Sequence, residues 1–293
     1  HTGQTPPCAR ALIDAGIARV VVALRDPDPR VDGGGVAMLR AAGIEVSEGV
    51  GESAAARTHS GFLMRVRHGR PWVTLKLAGS FDGRIATASG ESRWITGAAA
   101  RRQVHGERAV NDAVLIGGGT ARDDDPSLTV RGLGVAAQPV RIVMSSALNL
   151  PSDGVLARTA REVPVWLLHS DEACQSDVAR WSELGAECVC INGADGGVAV
   201  AEALQELGAR GLTRVFCEGG GTLAASLLRA GLVDELVGFT AGVALGADGR
   251  PSLGDLCLTQ LADAPRFRLR ECRVIAGDIL HRWERAPVVR ASD

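Results

Sequence analysis

Apolar and polar positions follow two different patterns along the chain. Short continuous apolar runs are typical of strands buried on both faces, and longer stretches with apolar residues every three or four positions are typical of helices. In the first part of the chain we predict helices over residues 8–15, 36–42 and 54–67 and strands over 17–24 and 44–46. The apolar, β-branched run over 17–24 is expected to be a buried parallel strand, so this part is a βαβ fragment.

The same alternation continues after residue 70. We predict strands over 72–78, 112–116, 139–144, 164–168, 187–191, 213–217 and 234–240 and helices over 97–109, 173–185, 197–209 and 221–231. Two late runs, 265–274 and 278–285, predict an antiparallel hairpin. Gly69 and Pro71 mark the end of a helix, so a domain boundary is predicted there. The result is an α/β protein with domains 1–69 and 70–293 and a mostly parallel sheet.

Composition narrows the functional classes. The 293 residues are 46% hydrophobic and include 32 basic and 34 acidic side chains. A near-zero net charge argues against a nucleic-acid or anionic-membrane partner, and the apolar runs are too short to span a bilayer. The seven cysteines show no repeated spacing, which argues against a disulfide framework and favours a cytoplasmic protein. Most of them are expected to be buried.

Lysine usage points to one residue. Lys76 is the single lysine among the 32 basic residues, and it lies within the apolar run 72–78. A solvated charge is not expected in such a run. Lys76 is therefore either a functional residue or a side chain at a sheet edge whose charge reaches water.

Two glycine-rich turns follow predicted strands. Residues 218–221 read Glu-Gly-Gly-Gly before a helix, where glycine permits close backbone approach and a helix N-terminus offers N–H donors to phosphate. The pattern is not the dinucleotide fingerprint with a downstream acid, so a Rossmann site is not predicted. Residues 117–120 form a second such turn, followed by Asp123, Asp124 and Asp125. These acids are either a solvated run, a helix cap, or a cluster that tunes a reacting group.

The N-terminal segment carries a third candidate. Cys8 opens a helix after a loop that contains His1, and a helix N-terminus favours a thiolate, as in a zinc ligand. A buried helix cysteine is the commoner explanation. Because His1 is not a translation start, we expect the natural protein to continue upstream.

Taken together, the motifs resemble the bifunctional riboflavin-biosynthesis deaminase/reductases. Residues 1–8 are similar to the end of that family's zinc motif, with Gln4 where arginine is usual. Five further segments resemble reductase motifs in the same order: KLAGSFDG at 76–83, GESRWIT at 90–96, GGGT at 117–120, DDPSLTVR at 124–131 and EGGGTLA at 218–224.

The resemblance implies a dihydrofolate-reductase-like domain over 70–293, preceded by the C-terminal part of a cytidine-deaminase-like α/β domain. It implies hydride transfer from NADPH to the ribosyl carbon of 5-amino-6-(5-phosphoribosylamino)uracil, which gives the ribitylamino product, and it implies a homodimer. Zinc is expected only with ligands upstream of His1, because the single thiolate of Cys8 cannot form a tetrahedral site. The deaminase half is either completed by upstream residues, which we favour, or vestigial.

The resemblance also assigns roles to individual residues. The expected catalytic residues are Lys76, Asp124 and Glu218. The expected cofactor-binding residues are Ala78, Trp94, Thr120, Asp124, Ser146, Gly220, Gly221, Thr222, Leu223, Ala224, Ala225 and Ser226. The expected substrate-binding residues are Ser92, Arg108, Leu128, Arg131 and Glu218, with the two arginines on the phosphate. Asp124 either transfers a proton or orients the ribose, and Trp94 could instead be a core anchor.

Two functions of other classes remain as alternatives. A non-catalytic NADPH-binding module would bind the cofactor without turnover, and the presence of Lys76, Asp124 and Glu218 counts against it. A nucleic-acid-editing deaminase is opposed by the net charge and by the incomplete zinc motif.

Overall fold

The computed structural model describes residues 7–193 and 197–286. The chain forms two compact units, His1–Arg70 and Pro71–Asp293.

The first unit is a small βαβ arrangement with further helices, as predicted. Two parallel strands pair with Arg19 opposite Glu45, and Ala9, Leu39 and Ile44 form the buried core. Its elements are α1 (Cys8–Asp14), β1 (Arg19–Val22), α2 (Gly34–Ala41), β2 (Glu45–Glu48), α3 (Glu52–Thr58) and α4 (Ser60–His68).

Two predictions for this unit are wrong. The strand β1 is shorter than the run 17–24 and is not buried: its residues alternate between exposed and half-buried, and Val21 is 52% exposed. The helix predicted over 54–67 is two helices, because His59 leaves the helical conformation with ψ near 14°. The hydroxyl of Thr58 donates to the carbonyl of Ala54 at 3.1 Å, a local bond that competes with helix continuation.

The second unit contains one large sheet with helices between its strands. Its strands are β3 (Trp72–Ser80), β4 (Arg84–Ala86), β5 (Ala113–Gly117), β6 (Val140–Met144), β7 (Val165–His169), β8 (Glu187–Cys190), β9 (Arg214–Gly219), β10 (Glu235–Ala241), β11 (Arg250–Pro251), β12 (Phe267–Ile275) and β13 (Asp278–Arg285). Its helices are α5 (Ala98–Ala109), α6 (Gly118–Asp124), α7 (Val155–Arg158), α8 (Gln175–Leu184), α9 (Val200–Ala209) and α10 (Gly221–Arg229), with a 3-10 turn at Leu261–Asp263.

Nine of these strands form the main sheet, in the order β12-β13-β10-β3-β9-β5-β6-β7-β8. Every pair from β10 to β8 is parallel, and β12 and β13 form the predicted antiparallel hairpin at one edge. The short strands β4 and β11, which were not predicted, pair with each other. The α/β class and the mostly parallel sheet are confirmed.

The core lies on both faces of this sheet, and β5 shows why the apolar runs are continuous. Ala113 and Leu115 pack into one buried cluster with residues of α9 and α10, whereas Val114 and Ile116 pack into the other with residues of α7 and α8. All four side chains are fully buried. A strand that is covered on both faces needs apolar residues at every position.

The helix α6 was not predicted, because residues 117–120 were expected to form a turn; that expectation is wrong. It begins directly after β5, and a Cβ at Gly118 would lie 2.7 Å from the hydroxyl of Ser145 at the end of β6. The glycine is therefore required by close packing against the neighbouring strand, rather than by a turn. The short helix α7 was not predicted either.

Candidate active site

The candidate site lies where the parallel strands β3, β5 and β9 end, which is the usual place for a ligand in such a sheet. Two adjoining cavities open there, of about 620 Å³ and 860 Å³. We call them the arginine cavity, lined among others by Arg101, Arg108 and Arg131, and the glycine cavity, lined among others by Gly119 and Gly219. Both are lined by Lys76, Ala78, Ile85, Ser92, Arg93, Thr120, Asp124 and Glu218.

A buried ion pair forms one wall of the arginine cavity. Arg108 on α5 donates from Nε to Oε1 of Glu218 at 2.5 Å and from Nη2 to Oε2 at 3.0 Å. Its Nη1 donates to the carbonyl oxygen of Thr129 at 2.9 Å. Because the two side chains are only 10% and 11% exposed, the pair is held rigidly and little screened by water.

A second arginine of this cavity stacks on Trp94. The guanidinium of Arg101 lies 4.3 Å from the centre of the Trp94 ring, and its Nη1 donates to the carbonyl of Thr96 at 2.7 Å. Trp94 is 68% exposed. Its interpretation as a core anchor is therefore wrong: the ring is exposed at the cavity, with one face covered by Arg101.

His105 lines the same cavity, although it was not among the predicted site residues. Its Nδ1 lies 3.2 Å from both the carbonyl oxygen of Thr129 and the backbone nitrogen of Arg131. Burial lowers the pKa of His105, and the positive charges of Arg108 and Arg131 lower it further. The spacing of Arg101, His105 and Arg108 places them on one helix face, which is the signal in the sequence that could have identified the residue.

The acidic side chains at the end of α6 lie in different environments. Asp124 ends α6 and lines both cavities. Partial burial raises the pKa of its carboxyl group, while the charges of Arg93 and Lys76 oppose that rise. Asp125 has another task, because its Oδ1 accepts the backbone N–H of Val155 at 2.6 Å and so holds the start of α7.

Lys76 is half-buried on β3 and lines both cavities. The strand β3 lies between β10 and β9, so the alternative that Lys76 sits at a sheet edge is wrong. No hydrogen bond or ion pair of its amino group involves residues 7–193 or 197–286. A cation without a fixed partner next to Asp124 is free to bind a ligand group.

Backbone rather than side chains lines the glycine cavity at two glycine-rich segments, the start of α6 and the turn before α10. A Cβ at Gly119 or at Gly219 would meet open space, and Gly219 has a φ of 94°. No side chain caps the N-terminus of α10, so its first N–H groups lack partners within the helix. Gly220, Gly221 and Thr222 line the cavity at this point. Such a surface suits a phosphate-containing ligand.

Comparison with known proteins decides the family. The model of the family described as RibD C-terminal domain matches residues 71–281. The chain belongs to the RibD family. It is 40% identical over 285 residues to the riboflavin biosynthesis protein RibD of Escherichia coli (strain K12), and the match covers 95% of this chain and 77% of that protein.

Two solved structures of RibD proteins resemble the whole chain. RibD of Acinetobacter baumannii, form 1, has a TM-score of 0.85 and 36% identity, and covers 98% of this chain and 78% of its own. The Thermotoga maritima diaminohydroxyphosphoribosylaminopyrimidine deaminase/5-amino-6-(5-phosphoribosylamino)uracil reductase has a TM-score of 0.82 and 30% identity, and covers 98% of this chain and 76% of its own. The family and the fold class predicted from the motifs are confirmed.

Not all residues expected to bind the cofactor have side chains that reach the cavities. The side chains of Leu223, Ala224 and Ala225 are buried in the core beneath α10, so only their backbone is available to a ligand. Ser226 is half-buried and accepts from Nη2 of Arg229 at 3.3 Å. Ser146, just beyond β6, lines neither cavity.

The residues expected to bind the substrate line one cavity. Ser92, Arg131 and Leu128 all line the arginine cavity. Leu128 is 2% exposed and has a φ of 56°, an uncommon conformation for leucine. Arg131 is exposed. The cavity therefore combines a buried apolar wall with a free cationic rim.

Of residues 1–8, expected to resemble the end of a zinc motif, the structure describes Pro7 and Cys8. This thiol is exposed at the start of α1, so the alternative of a buried helix cysteine is wrong; His1 and Gln4 lie outside the described residues. Five of the seven cysteines are exposed, which overturns the expectation that most are buried. Residues 7–193 and 197–286 contain no group of three or more His, Cys, Asp or Glu side chains able to hold a metal ion. No helix within these ranges is long and apolar enough to cross a bilayer.

Proposed function

We propose that residues 71–293 reduce the ribosyl group of 5-amino-6-(5-phosphoribosylamino)uracil to the ribitylamino product in riboflavin biosynthesis, with NADPH as the hydride donor. One observation carries the proposal. The glycine cavity, suited to a dinucleotide, and the arginine cavity, suited to a phosphorylated substrate, share the side chains of Lys76, Asp124 and Glu218. A cofactor and a substrate bound in the two cavities would meet at these three residues.

The residues of the glycine cavity fit NADPH. Its volume of about 860 Å³ lies within the range of small-molecule sites, and the open backbone at Gly119 and Gly219 allows close approach. The uncapped N–H groups at the start of α10 would hold a phosphate of the cofactor. The side chain of Thr120, which lines both cavities, and the ring of Trp94, which lines the adjoining arginine cavity, would contact its remaining parts. Bound NADPH supplies the hydride.

The charge of the arginine cavity fits a phosphate monoester. Its lining contains five basic and three acidic side chains, an excess of two positive charges, and a phosphate monoester carries about −1.5 to −2 at pH 7. Three of the five guanidinium N–H groups of Arg108 are used by Glu218 and Thr129, which leaves two for the phosphate. Arg131 would bind it from the opposite side.

The reaction also needs a proton. A hydride adds to the ribosyl C1′, the bond from C1′ to the ring oxygen breaks, and that oxygen takes a proton and becomes a hydroxyl group. We assign the proton to Asp124, because partial burial raises the pKa of this carboxyl group and so favours the protonated form. Lys76 would orient the sugar hydroxyls, and Glu218 would hold Arg108 in place at the substrate.

The purified chain tests this proposal directly. NADPH oxidation is followed by absorbance with freshly prepared 5-amino-6-(5-phosphoribosylamino)uracil, and with the same compound lacking its phosphate. We expect turnover with the phosphorylated compound and a much higher KM without the phosphate. NADPH binding without turnover on either compound would instead identify a non-catalytic binding module.

The first unit is proposed to be the C-terminal portion of a zinc deaminase domain. Its βαβ arrangement and the deaminase named in the Thermotoga maritima protein support this assignment. The described residues do not fit a zinc ion, since Cys8 has no partner ligands among them. We therefore assign no deamination step to any residue of this chain. Metal analysis of a protein that includes upstream His and Cys residues would test the proposal.

A further inference from the structure

His105 occupies a place in the arginine cavity that the proposed function leaves unexplained. Its ring is half-buried and lines the cavity together with Arg108 and Arg131, whose positive charges both act on it. One ring nitrogen, Nδ1, is held by the backbone of the segment from Thr129 to Arg131. The other, Nε2, on the opposite edge of the ring, has no hydrogen-bond partner among residues 7–193 and 197–286.

The environment of Nδ1 accommodates both protonation states. In the neutral ring, Nδ1 accepts the backbone N–H of Arg131 at 3.2 Å. In the protonated ring, Nδ1 donates to the carbonyl oxygen of Thr129, also at 3.2 Å. Each state therefore keeps one partner without movement of the ring. In both states Nε2 carries a hydrogen and remains free to donate.

The charges around His105 favour protonation of its ring once a phosphate is bound. The charge of Arg108 is already balanced by Glu218 at 2.5 Å, so Arg131 is the one neighbouring cation of His105 that no described carboxylate neutralises. A phosphate dianion carries two charges. Without a ligand, burial and the positive charges of the two arginines lower the pKa of His105, which favours the neutral ring. A bound dianion reverses the sign of the local field and favours the imidazolium.

We propose that His105 is a third phosphate-binding side chain of the substrate site, which donates from Nε2 to the phosphate and takes up a proton as the phosphate enters. This inference rests on the proposed function. The charged and titratable groups that face the ring are Arg108, Arg131 and Glu218. Among these groups and the ring itself, only the imidazole of His105 is of a type whose ordinary pKa lies near neutral pH.

Two substitutions separate the roles of the two ring nitrogens. The amide of asparagine reaches the position of Nδ1 but not that of Nε2, whereas the amide of glutamine reaches the position of Nε2. His105→Asn should therefore keep the backbone contacts and lose the phosphate contact. We expect its KM for the phosphorylated substrate to rise roughly tenfold to a hundredfold, as for a lost charge-assisted hydrogen bond, with kcat and NADPH affinity nearly unchanged. In His105→Gln the rise in KM should be smaller, and the side chain at position 105 should not change its charge with pH.

The pH dependence provides the readout that a merely structural role would not change. In the wild-type chain, KM for the phosphorylated substrate should rise as the pH increases from about 6.5 to 8.5, as the imidazolium loses its proton. In His105→Gln this part of the profile should be flat. His68→Gln, at the exposed end of α4, is the matched control and should behave as wild type.

Calorimetry measures the proton directly. Ribose 5-phosphate is titrated into the wild-type chain and into His105→Gln in two buffers of different ionisation enthalpy at pH 7. We expect the wild type to take up a larger fraction of a proton than the variant. The difference between the two proteins gives the proton uptake of His105, separate from any proton taken up by the phosphate itself. Equal uptake, or an unchanged KM in both variants while the wild type turns over, would overturn this inference alone. Absence of turnover in the wild type would overturn the proposed function instead.

Discussion

Arg108 and Glu218, 110 positions apart in sequence, form a two-point ion pair with N–O distances of 2.5 Å and 3.0 Å. The pair joins α5 to the end of β9, so it ties the arginine cavity to the strand that precedes the glycine-rich turn of α10. Removal of one partner from a buried pair leaves an uncompensated charge, which costs more than the pair itself contributes.

Glu218→Ala should destabilise the fold by about 3–5 kcal/mol, because Arg108 would remain buried without its counter-charge. The free energy of unfolding from urea titration measures this loss. Glu187→Ala is the control, since Glu187 pairs with Arg210 at the surface with 48% of its side chain exposed. An exposed pair contributes at most about 1 kcal/mol. Similar losses in the two variants would contradict the prediction.

Asp124→Asn should lower kcat by about a hundredfold if this carboxyl group donates a proton. An amide retains most hydrogen bonds to a ribose but transfers no proton, so a purely orienting role predicts a small effect. The donor must be protonated. The kcat of the wild-type chain should therefore fall as the pH rises through the raised pKa of Asp124, and that limb should vanish in the variant. Asp153→Asn, on the surface, serves as the control.

Adjacent glycines in α6 should respond in opposite ways to alanine. Gly118→Ala places a Cβ 2.7 Å from the hydroxyl of Ser145 and should destabilise the fold by about 1–3 kcal/mol. Gly119→Ala meets open space and should leave the melting temperature unchanged or slightly raised. Because that space belongs to the glycine cavity, Gly119→Ala should instead weaken NADPH binding. Fluorescence titration and thermal unfolding of both variants distinguish these effects.

The free energy of unfolding should decrease with rising pH as the carboxyl group of Glu235 ionises. Burial raises the pKa of its carboxyl group above 4.5, although Arg282 and the hydroxyl of Thr74 oppose the shift. A group whose pKa is raised by folding stabilises the fold below its unfolded value, and that contribution disappears as the pH rises through the folded value. Glu235→Gln should remove this decline while its amide oxygen still accepts from Thr74. A wild-type stability that is flat above pH 4.5 would contradict the prediction.

Much of the fold followed from local patterns because both faces of the main sheet are covered. The residues of β5, alternately buried on its two faces, must all be apolar, so a continuous run predicts the strand without knowledge of its neighbours. The C-terminal hairpin was equally predictable from its turn residues. The same reasoning failed for β1, which is partly exposed, because an apolar sequence alone does not reveal whether a second layer covers the strand.

The sequence by itself determined the order of the strands and helices, the glycine-rich turns, and the isolation of Lys76 within an apolar run. Only the tertiary structure decided that Arg108 pairs with Glu218, that Gly118 is fixed by Ser145, and that His105 lines the same cavity as Arg108 and Arg131. Strand and helix patterns are set by the contacts of each residue with its near neighbours along the chain. Distances between side chains far apart in sequence are set by how the sheet orders its strands, and no local pattern contains that information.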